Sequence, residues 1–560
     1  MSSQQAAPDV RAGGQAGLAR GLALRGLALR GRRRNWLWTA GYAVAAIALF
    51  FCYLRLSGTQ KVTSDGSTIA LQAWDMLHGN PLLHGWTIAD VSFWTTELPE
   101  YMLVESVRGL GAADVHVAAA ISYTLLVLLA GLVARGRATG AEGLARVLIA
   151  SGIMIAPQLG QGTFILLLAP DHTGTGVPLL VTWLVLDRGG RRWWVPPAVG
   201  LLLTWTLVGD RVAEVLAVLP LLLVFGVRAL GGFRRRERQA WFDVSMACAA
   251  AGAYVASMLA GRLIVALGGF ELPPVKFLLA PVAALGGNAL RTADGVLALF
   301  GAEFYQRPFG VQTVLSLAHL AGLVMVVAAV GIGLRRFPRG SRLSRPSRPD
   351  DPLVSVLTAG FVINIAVYLF STLPVTIWST REIAGVLPAG AVLAGRLLAG
   401  PLLRAGPASR AWLRPRALLA GVAVVYLAAL GYGMAQPQRP AEGQDLADWL
   451  TAHHLRNGLT GYGYGPTTTL ASGGRTELRQ AAFSPGRASP GPEEYQLSWY
   501  DPSAHDATYL VLAAAPAQFA PLTPAQARGI FGPPAHTYRV GREFVVWTYP
   551  ANLLTRVSAR

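Results

Sequence analysis

The chain alternates long apolar runs with shorter polar connections over most of its length. About eleven of these runs come close to the roughly 20 residues that an α-helix needs to cross a lipid bilayer. They lie at 36–56, 115–134, 144–168, 174–187, 193–209, 211–230, 240–267, 312–334, 353–371, 383–400 and 415–435. The pattern predicts an α-helical polytopic membrane protein with about 11 transmembrane helices.

The composition supports a membrane protein. Only 14% of the 560 residues are charged and 53% are hydrophobic, whereas soluble domains carry about 25% charged residues. The excess of 48 Lys and Arg over 30 Asp and Glu is typical of cytoplasmic loops, so we expect no nucleic-acid partner. Cys52 and Cys248 both lie inside apolar runs, which excludes a disulfide framework.

The basic residues indicate the orientation. The tail before residue 36 carries seven arginines and a single aspartate. Later arginine clusters at 135–146, 188–192, 234–238, 335–348 and 396–416 fall on the same side of the predicted membrane. Because Lys and Arg concentrate in cytoplasmic loops, the N-terminus is predicted to be cytoplasmic and the C-terminus extracytoplasmic.

Three regions follow from this topology. Residues 1–35 form a basic cytoplasmic tail, and residues 36–435 form a transmembrane domain whose first extracytoplasmic loop is 57–114. Residues 436–560 are predicted to be a small extracytoplasmic α/β domain. In that domain, 445–456 has the apolar spacing of a helix, and the segments ATYLVLAA and REFVVWTY are strand-like.

The first extracytoplasmic loop contains the main candidate for chemistry. Asp65 follows the first apolar run closely and opens a segment with helical apolar spacing, which predicts an amphipathic helix at the membrane interface. An aspartate there can act as a general base on an acceptor hydroxyl, or it can simply cap the helix. Glu97 and Glu100, in the sequence TTELPEY, lie among aromatic residues suited to sugar binding.

This arrangement resembles the GT-C superfamily of polyprenyl-phosphate-sugar-dependent membrane glycosyltransferases. The segment SDGSTIALQAWDMLHGNPLLHGW is similar to bacterial protein O-mannosyltransferases and aminoarabinose transferases. The resemblance implies a GT-C-like fold in a bacterial plasma membrane and Asp65 as the catalytic residue. The family's acidic position is often Asp-Glu or Asp-x-Asp, whereas this chain has Ser64-Asp65-Gly66.

A lipid-phosphate donor requires cations, and Arg is suited to bidentate contact with phosphate. The candidate cations on predicted extracytoplasmic segments are Lys61, Arg211, Lys276, Arg291, Arg307 and Arg381, of which Lys276, Arg307 and Arg381 are the substrate-binding candidates together with Glu97 and Glu100. Each cation can instead be an interfacial anchor. Ser379-Thr380 is expected to open a helix beside Arg381.

Two further polar pairs interrupt apolar runs. Asp171-His172 is interpreted as a structural cap rather than part of a metal site, and Asp210-Arg211 as a local ion pair. The sequence contains no spacing typical of a zinc site, so we predict no cofactor. A divalent metal stays an alternative that no residue pattern in the sequence supports.

Three functions are consistent with these patterns. The first is inverting transfer of a sugar from a polyprenyl-phosphate donor to a glycan, lipid or protein acceptor, with membrane lipids as the surroundings. The second is a transporter or lipid flippase, which requires polar residues deep in the spans. The third is a non-catalytic membrane scaffold whose C-terminal domain binds a wall component.

Overall fold

The computed structural model describes residues 38–273, 278–305, 309–337, 351–404, 415–461, 463–484, 486–491, 494–514 and 522–558. By its internal packing the chain divides into two units, one ending at Phe51 and the other beginning at Cys52. Helices dominate the sequence up to Met434, and a mixed sheet follows.

The helices are numbered in chain order. They are α1 (Trp38–Ser57), α2 (Ser64–Leu77), α3 (Leu98–Arg108), α4 (Ala113–Arg135), α5 (Gly140–Met154), α6 (Gln161–Leu167), α7 (Gly176–Gly189), α8 (Val195–Gly209), α9 (Leu219–Arg234), α10 (Ala240–Ala266), α11 (Leu285–Leu299), α12 (Val311–Arg336), α13 (Pro352–Phe370), α14 (Val386–Arg404), α15 (Pro415–Met434), α16 (Gln444–Ala452), α17 (Gly465–Ala471) and α18 (Pro524–Phe531).

Seven helices within the described ranges are long and apolar enough to cross a membrane. They are α1, α4, α9 with the π-helical turn Glu214–Val218 before it, α10, α12, α13 and α14. Two shorter apolar helices, Val195–Gly209 and Ala420–Met434, accompany them. The prediction of an α-helical polytopic membrane protein is therefore confirmed, while the count of about 11 spans stays a prediction.

The predicted span 144–168 is divided into two helices. α5 ends at Met154 and α6 begins at Gln161. Pro157 lies between them, and Gly160 has a φ of +91°. Proline disfavours helical backbone at the residue before it and cannot donate the helical hydrogen bond, which favours the interruption of the helix here.

The loop between α1 and α4 is folded against the rest of the protein. It contains α2, α3 and the short strand β1 (Trp86–Thr87). Residues Gly66–Ala73 of α2 are buried, and the apolar side chains of α2 pack in a cluster that includes Leu98 of α3 and Leu470 of α17. Protein therefore covers the apolar face of α2 over Gly66–Ala73, and the expected membrane-interface position of this helix stays a prediction.

The region after α15 forms a six-stranded mixed sheet with the order β4-β3-β2-β6-β8-β7. These strands are β2 (Asn457–Thr460), β3 (Glu477–Ser484), β4 (Arg487–Pro490), β6 (Tyr509–Ala513), β7 (His536–Val540) and β8 (Phe544–Thr548). The central strand β2 is parallel to β3 and β6, and the other pairs are antiparallel.

The sheet confirms the strands predicted from ATYLVLAA and REFVVWTY. They are β6 and β8, which pair with Leu510 opposite Trp547. Tyr509 and Val511 point to one apolar cluster while Leu510 and Leu512 point to another, as the alternation of a strand requires. Both faces of the sheet are therefore covered.

Two contacts join the first loop to the sheet region. β1 pairs antiparallel with β5 (Tyr495–Gln496), and α17 packs against α2. The helix predicted over 445–456 is α16, which ends at Ala452 because His454 takes a positive φ of +56°. Helix α2 is thus held between the helical region and the sheet.

Arg396 of α14 connects four parts of the helical region. Its guanidinium is 2.7 Å from the carboxylates of both Asp187 and Asp351, and it donates to the carbonyl of Val133. Only 4% of its side chain is exposed. Removing one partner of a buried ion pair leaves an uncompensated charge, which costs about 3–5 kcal/mol.

We expect Arg396→Met to lower the free energy of unfolding by about 3 kcal/mol or more, measured by denaturant titration in detergent. The matched control is Arg404→Met on the same helix, since Arg404 is exposed and donates to the carbonyl of Gly400 of its own helix. Equal stability of the two variants would contradict a structural role for Arg396.

Candidate functional site

Asp65 lies in the first turn of α2. The N-cap position belongs to Thr63, so the alternative in which Asp65 serves only as the cap is wrong. Its carboxylate accepts hydrogen bonds from the Ser64 hydroxyl at 3.2 Å and from Nη1 of Arg381 at 3.4 Å. The side chain is 40% exposed, which leaves it accessible to another molecule.

Arg381 lies in the 3₁₀ helix Ile377–Ile383 that connects α13 to α14. Its Nη1 donates to Oδ2 of Asp171 at 2.8 Å, a shorter contact than the one to Asp65. Both partners of this shorter pair are buried, with 8% of the Arg381 side chain and 5% of the Asp171 side chain exposed. Asp171 therefore anchors Arg381, and Asp65 is its looser partner.

Two aromatic rings enclose the other side of the guanidinium. Its carbon lies 5.2 Å from the ring centre of Trp378 and 5.5 Å from that of Phe164. These rings contact each other edge to face, with centroids 4.0 Å apart. Within the described structure the Nε and Nη2 atoms of Arg381 are buried and have no hydrogen-bond partner, so one N–H on Nε and two on Nη2 are available to an acceptor.

The helix expected to open at Ser379-Thr380 begins earlier. Thr376 caps the 3₁₀ helix by accepting from the Trp378 N–H, and Ser379 and Thr380 lie inside it. The Ser379 hydroxyl donates back to the carbonyl of Thr376 at 2.7 Å. The local sequence thus holds Arg381 through a short, tightly capped turn rather than at a helix N-terminus.

A second ion-pair group adjoins the first through the chain itself. His172, next to Asp171, lies 2.9 Å from Asp210 through Nδ1 and 3.4 Å from Glu382 through Nε2. Glu382 in turn is the neighbour of Arg381. Two consecutive residues therefore pair with two consecutive residues of opposite charge: Asp171 with Arg381, and His172 with Glu382.

His172 has a φ of +53°. A left-handed backbone costs a non-glycine residue about 1–2 kcal/mol, so this conformation requires compensation. The two carboxylate contacts of the imidazole supply it. Phe93 packs edge to face on the same ring at 5.4 Å.

The charges of this second group are set by burial and by each other. Burial alone would lower the pKa of His172, but Glu382 and Asp210 raise the pKa well above its ordinary value. Burial alone would raise the pKa of Asp210, but His172 and hydrogen bonds from Thr175 and Val212 lower the pKa. His172 is therefore an imidazolium paired with the Asp210 carboxylate.

Glu97 adjoins this second group. Its side chain is fully buried and accepts from the Thr175 hydroxyl, which also donates to Asp210 at 2.6 Å. A Cβ at Gly174 would lie 2.8 Å from the Glu97 carboxylate, so glycine is required for this close approach. Burial and the charge of Asp210 raise the pKa of Glu97 well above its ordinary value.

Glu100 points elsewhere. It accepts from the Ser122 hydroxyl of α4 at 2.5 Å, and burial raises the pKa of Glu100 to about 8. The structure therefore brings Glu97 close to the His172–Asp210 pair and does not bring Glu100 there. The substrate-binding roles of both residues stay predictions.

The remaining candidates divide into two groups. Lys276 and Arg307 lie outside the described residues. Arg211 pairs with Glu214 at 2.7 Å and not with Asp210, so the predicted local ion pair Asp210-Arg211 is wrong. The capping interpretation of Asp171-His172 is wrong as well, because both side chains make ion pairs.

Sequence reasoning missed Asp171, His172, Asp210 and Glu382 as parts of the site. The available signal was the presence of ionisable residues beside long apolar runs, where such groups are rare and are usually paired. The spacing could not show which distant residue completes each pair. Among the described residues no group of three or more His, Cys, Asp or Glu side chains is placed to hold a metal ion.

Comparison with family models and with curated proteins gave no match. Among solved structures, ArnT from Cupriavidus metallidurans bound to undecaprenyl phosphate is similar, with a TM-score of 0.53 and 15% identity over 92% of this chain and 98% of that one. ArnT is a member of the GT-C superfamily. This likeness confirms the predicted GT-C-like fold.

Two further structures are similar at a lower level. The apo state of the same ArnT has a TM-score of 0.41 and 14% identity over 93% of this chain and 99% of that one. An Archaeoglobus fulgidus oligosaccharyltransferase tethered with an acceptor peptide has a TM-score of 0.45 and 12% identity over 86% and 70% of the two chains. These TM-scores are too low to support a conclusion.

The raised pKa of His172 gives a prediction for stability against pH. We expect the stabilisation from its charge to be complete below about pH 6.5, its ordinary pKa, and to be lost as pH rises through the raised folded pKa. Melting temperatures of the wild type and His172→Gln, measured in detergent from mildly acidic to alkaline pH, should therefore converge as pH rises.

His536→Gln is the control, because His536 is exposed on strand β7. The melting temperature of the His536→Gln variant should follow that of the wild type at every pH. A difference between the wild type and His172→Gln that widens towards alkaline pH would show that His172 is not charged in the folded protein.

Proposed function

We propose that this protein transfers a sugar from a polyprenyl-phosphate donor to an acceptor hydroxyl on the extracytoplasmic side of a bacterial plasma membrane. One observation carries the proposal: a buried arginine, whose Nε and Nη2 have no partner among the described residues, lies beside an accessible carboxylate. The fold adds support, because it is similar to that of ArnT, whose structure holds undecaprenyl phosphate.

Arg381 is the proposed ligand of the donor phosphate. Its Nε and Nη2 atoms form one edge of the guanidinium, which suits bidentate contact with two phosphate oxygens. Asp171 occupies the Nη1 atom and holds the group in place. A phosphate can therefore bind Arg381 without breaking the ion pair that anchors it.

Asp65 is the proposed general base. It takes the proton from the acceptor hydroxyl while the acceptor oxygen forms a bond to the anomeric carbon of the donor sugar. The bond from that carbon to the phosphate oxygen breaks, and its electron pair leaves with the polyprenyl phosphate. Attack opposite the leaving group inverts the anomeric centre, and Arg381 stabilises the additional negative charge on the phosphate.

The location of the charged residues favours this function over a transporter. Asp65, Asp171 and Arg381 lie in a first helical turn, a loop and a connecting 3₁₀ helix. All three positions are outside the seven helices long enough to cross a membrane. A transporter usually places its site at the membrane midplane, so chemistry at the ends of the helices fits a transferase better.

For Asp65→Asn we expect the turnover number to fall by about 10²–10⁴-fold, which is the usual contribution of a general base. Affinity for undecaprenyl phosphate should stay unchanged, because the Asn amide has the same shape as the Asp carboxylate and Arg381 keeps its ion pair with Asp171. The measurement is sugar transfer by the purified protein with a panel of polyprenyl-phosphate sugars.

Asp448→Asn is the matched control, since Asp448 is exposed on α16 in the sheet region. It should transfer sugar at the wild-type rate. Full activity of Asp65→Asn would remove Asp65 as the base, and transport of the lipid without transfer would favour the flippase.

For Arg381→Gln we expect affinity for undecaprenyl phosphate to fall by about 10-fold or more, because a hydrogen bond to a charged group contributes about 1.5–3 kcal/mol. Binding can be measured by native mass spectrometry or thermophoresis. Because the single variant leaves Asp171 buried and unpaired, the double variant Asp171→Asn/Arg381→Gln tests the same loss in a chain without that uncompensated charge.

Arg211→Gln is the control, as the ion pair of Arg211 within the described part of the chain is with Glu214 of its own turn, and its side chain is 41% exposed. It should bind the lipid phosphate as the wild type does. Wild-type affinity in the stable double variant would show that Arg381 does not hold the donor.

A further inference from the structure

A cavity lies between α2 and the sheet region, lined by residues that the proposed reaction does not use. Its volume is about 270 Å³, close to the lower end of small-molecule sites. Thr68 and Trp74 of α2 form one wall, and Glu477, Arg479 and Trp499 form the opposite one. Two separate parts of the chain therefore converge on one space.

Three tryptophans give the cavity flat apolar surfaces. Trp74, Trp86 and Trp499 all line it. Trp86 and Trp499 contact each other edge to face at 5.1 Å, and the Trp86 indole N–H donates to Asp75 at 2.7 Å. Fixed aromatic faces of this kind can pack against the carbon-bound hydrogens of a sugar ring, while its hydroxyls need polar partners.

The cavity also contains polar groups that lack partners. Arg479 is 3% exposed, donates to the carbonyl of Trp499 and pairs with Glu477 at 2.8 Å. Its Nε and the hydroxyl of Thr68, which is 1% exposed, have no hydrogen-bond partner within the described ranges. Buried polar groups are rarely left unpaired, so these two atoms favour a ligand with both donors and acceptors.

The charges favour a neutral ligand over a phosphate. Asp75, Glu477 and Glu494 contribute three carboxylates to the lining, against the single guanidinium of Arg479. That guanidinium is already paired with Glu477. A phosphate would therefore meet more negative than positive charge, whereas neutral hydroxyl groups can donate to the carboxylates.

The cavity begins about one helical turn from the proposed base. Thr68, Leu71, Asp75 and His78 line it, and their spacing of three or four residues places them on one side of α2. Asp65 precedes Thr68 by three residues, so about one helical turn separates the proposed base from the nearest lining residue of α2. At 1.5 Å per residue, the lining begins about 5 Å from Asp65 and extends to about 20 Å along the helix.

From this arrangement we propose that the cavity binds a saccharide, and that this saccharide is the part of the acceptor preceding the hydroxyl that receives the new sugar. The identification as acceptor rests on the proposed function; the binding of a saccharide does not. The acceptor would thus be a glycan, lying along α2 with its reactive end at Asp65.

The test uses the purified full chain and oligosaccharides released by mild acid from the envelope polysaccharides of the cells that make this protein. Binding is measured by saturation-transfer NMR and by tryptophan fluorescence. We expect saturation transfer to ring protons of at least one fraction, and at least 10-fold weaker binding in Trp74→Ala and Trp499→Ala. Trp499→Phe, which keeps an aromatic face, should lose less affinity for the oligosaccharide than Trp499→Ala.

Trp193→Ala is the control, because Trp193 is 86% exposed and does not line the cavity. Asp65→Asn should bind the oligosaccharide like the wild type even when transfer is lost, which separates a failure of the base from a failure of this site. The proposal is overturned if no fraction binds, if the tryptophan variants bind normally, or if undecaprenyl phosphate displaces the oligosaccharide.

Discussion

The ion pair between Arg381 and Asp171 is the interaction on which the arrangement of the site depends. Both side chains are almost fully buried, and a buried charge without its partner is strongly destabilising. The pair therefore fixes the 3₁₀ helix after α13 against the loop before α7. The adjacent pair of His172 and Glu382, with the charges reversed, ties the same two segments a second time.

The two carboxylates on Arg381 differ in distance and exposure, and this difference separates their roles. Asp171 is close and buried, so it holds the guanidinium, while Asp65 is farther away and exposed. Asp171 and Asp65 both contact Nη1, and among the described residues the opposite edge of the guanidinium has no hydrogen-bond partner. A charged group positioned before substrate arrives needs little reorganisation during the reaction.

Apolar runs predicted the helices well, because burial in lipid or protein imposes a pattern that is local in sequence. Asp65 was a candidate base because it follows the first apolar run, and Arg381 was a candidate phosphate ligand because it lies between two later runs. Their contact was not predictable, since 316 residues separate them. The same holds for His172 and Asp210, and for the packing of α2, whose apolar face is covered by Leu470 from the distant sheet region.

The most direct test is a structure of the protein with undecaprenyl phosphate bound, determined by cryo-electron microscopy in a lipid nanodisc. The account predicts the phosphate on Nε and Nη2 of Arg381, with Asp171 still on Nη1 and Asp65 facing the same space. A phosphate bound elsewhere, with the free edge of Arg381 still without a ligand, would contradict it.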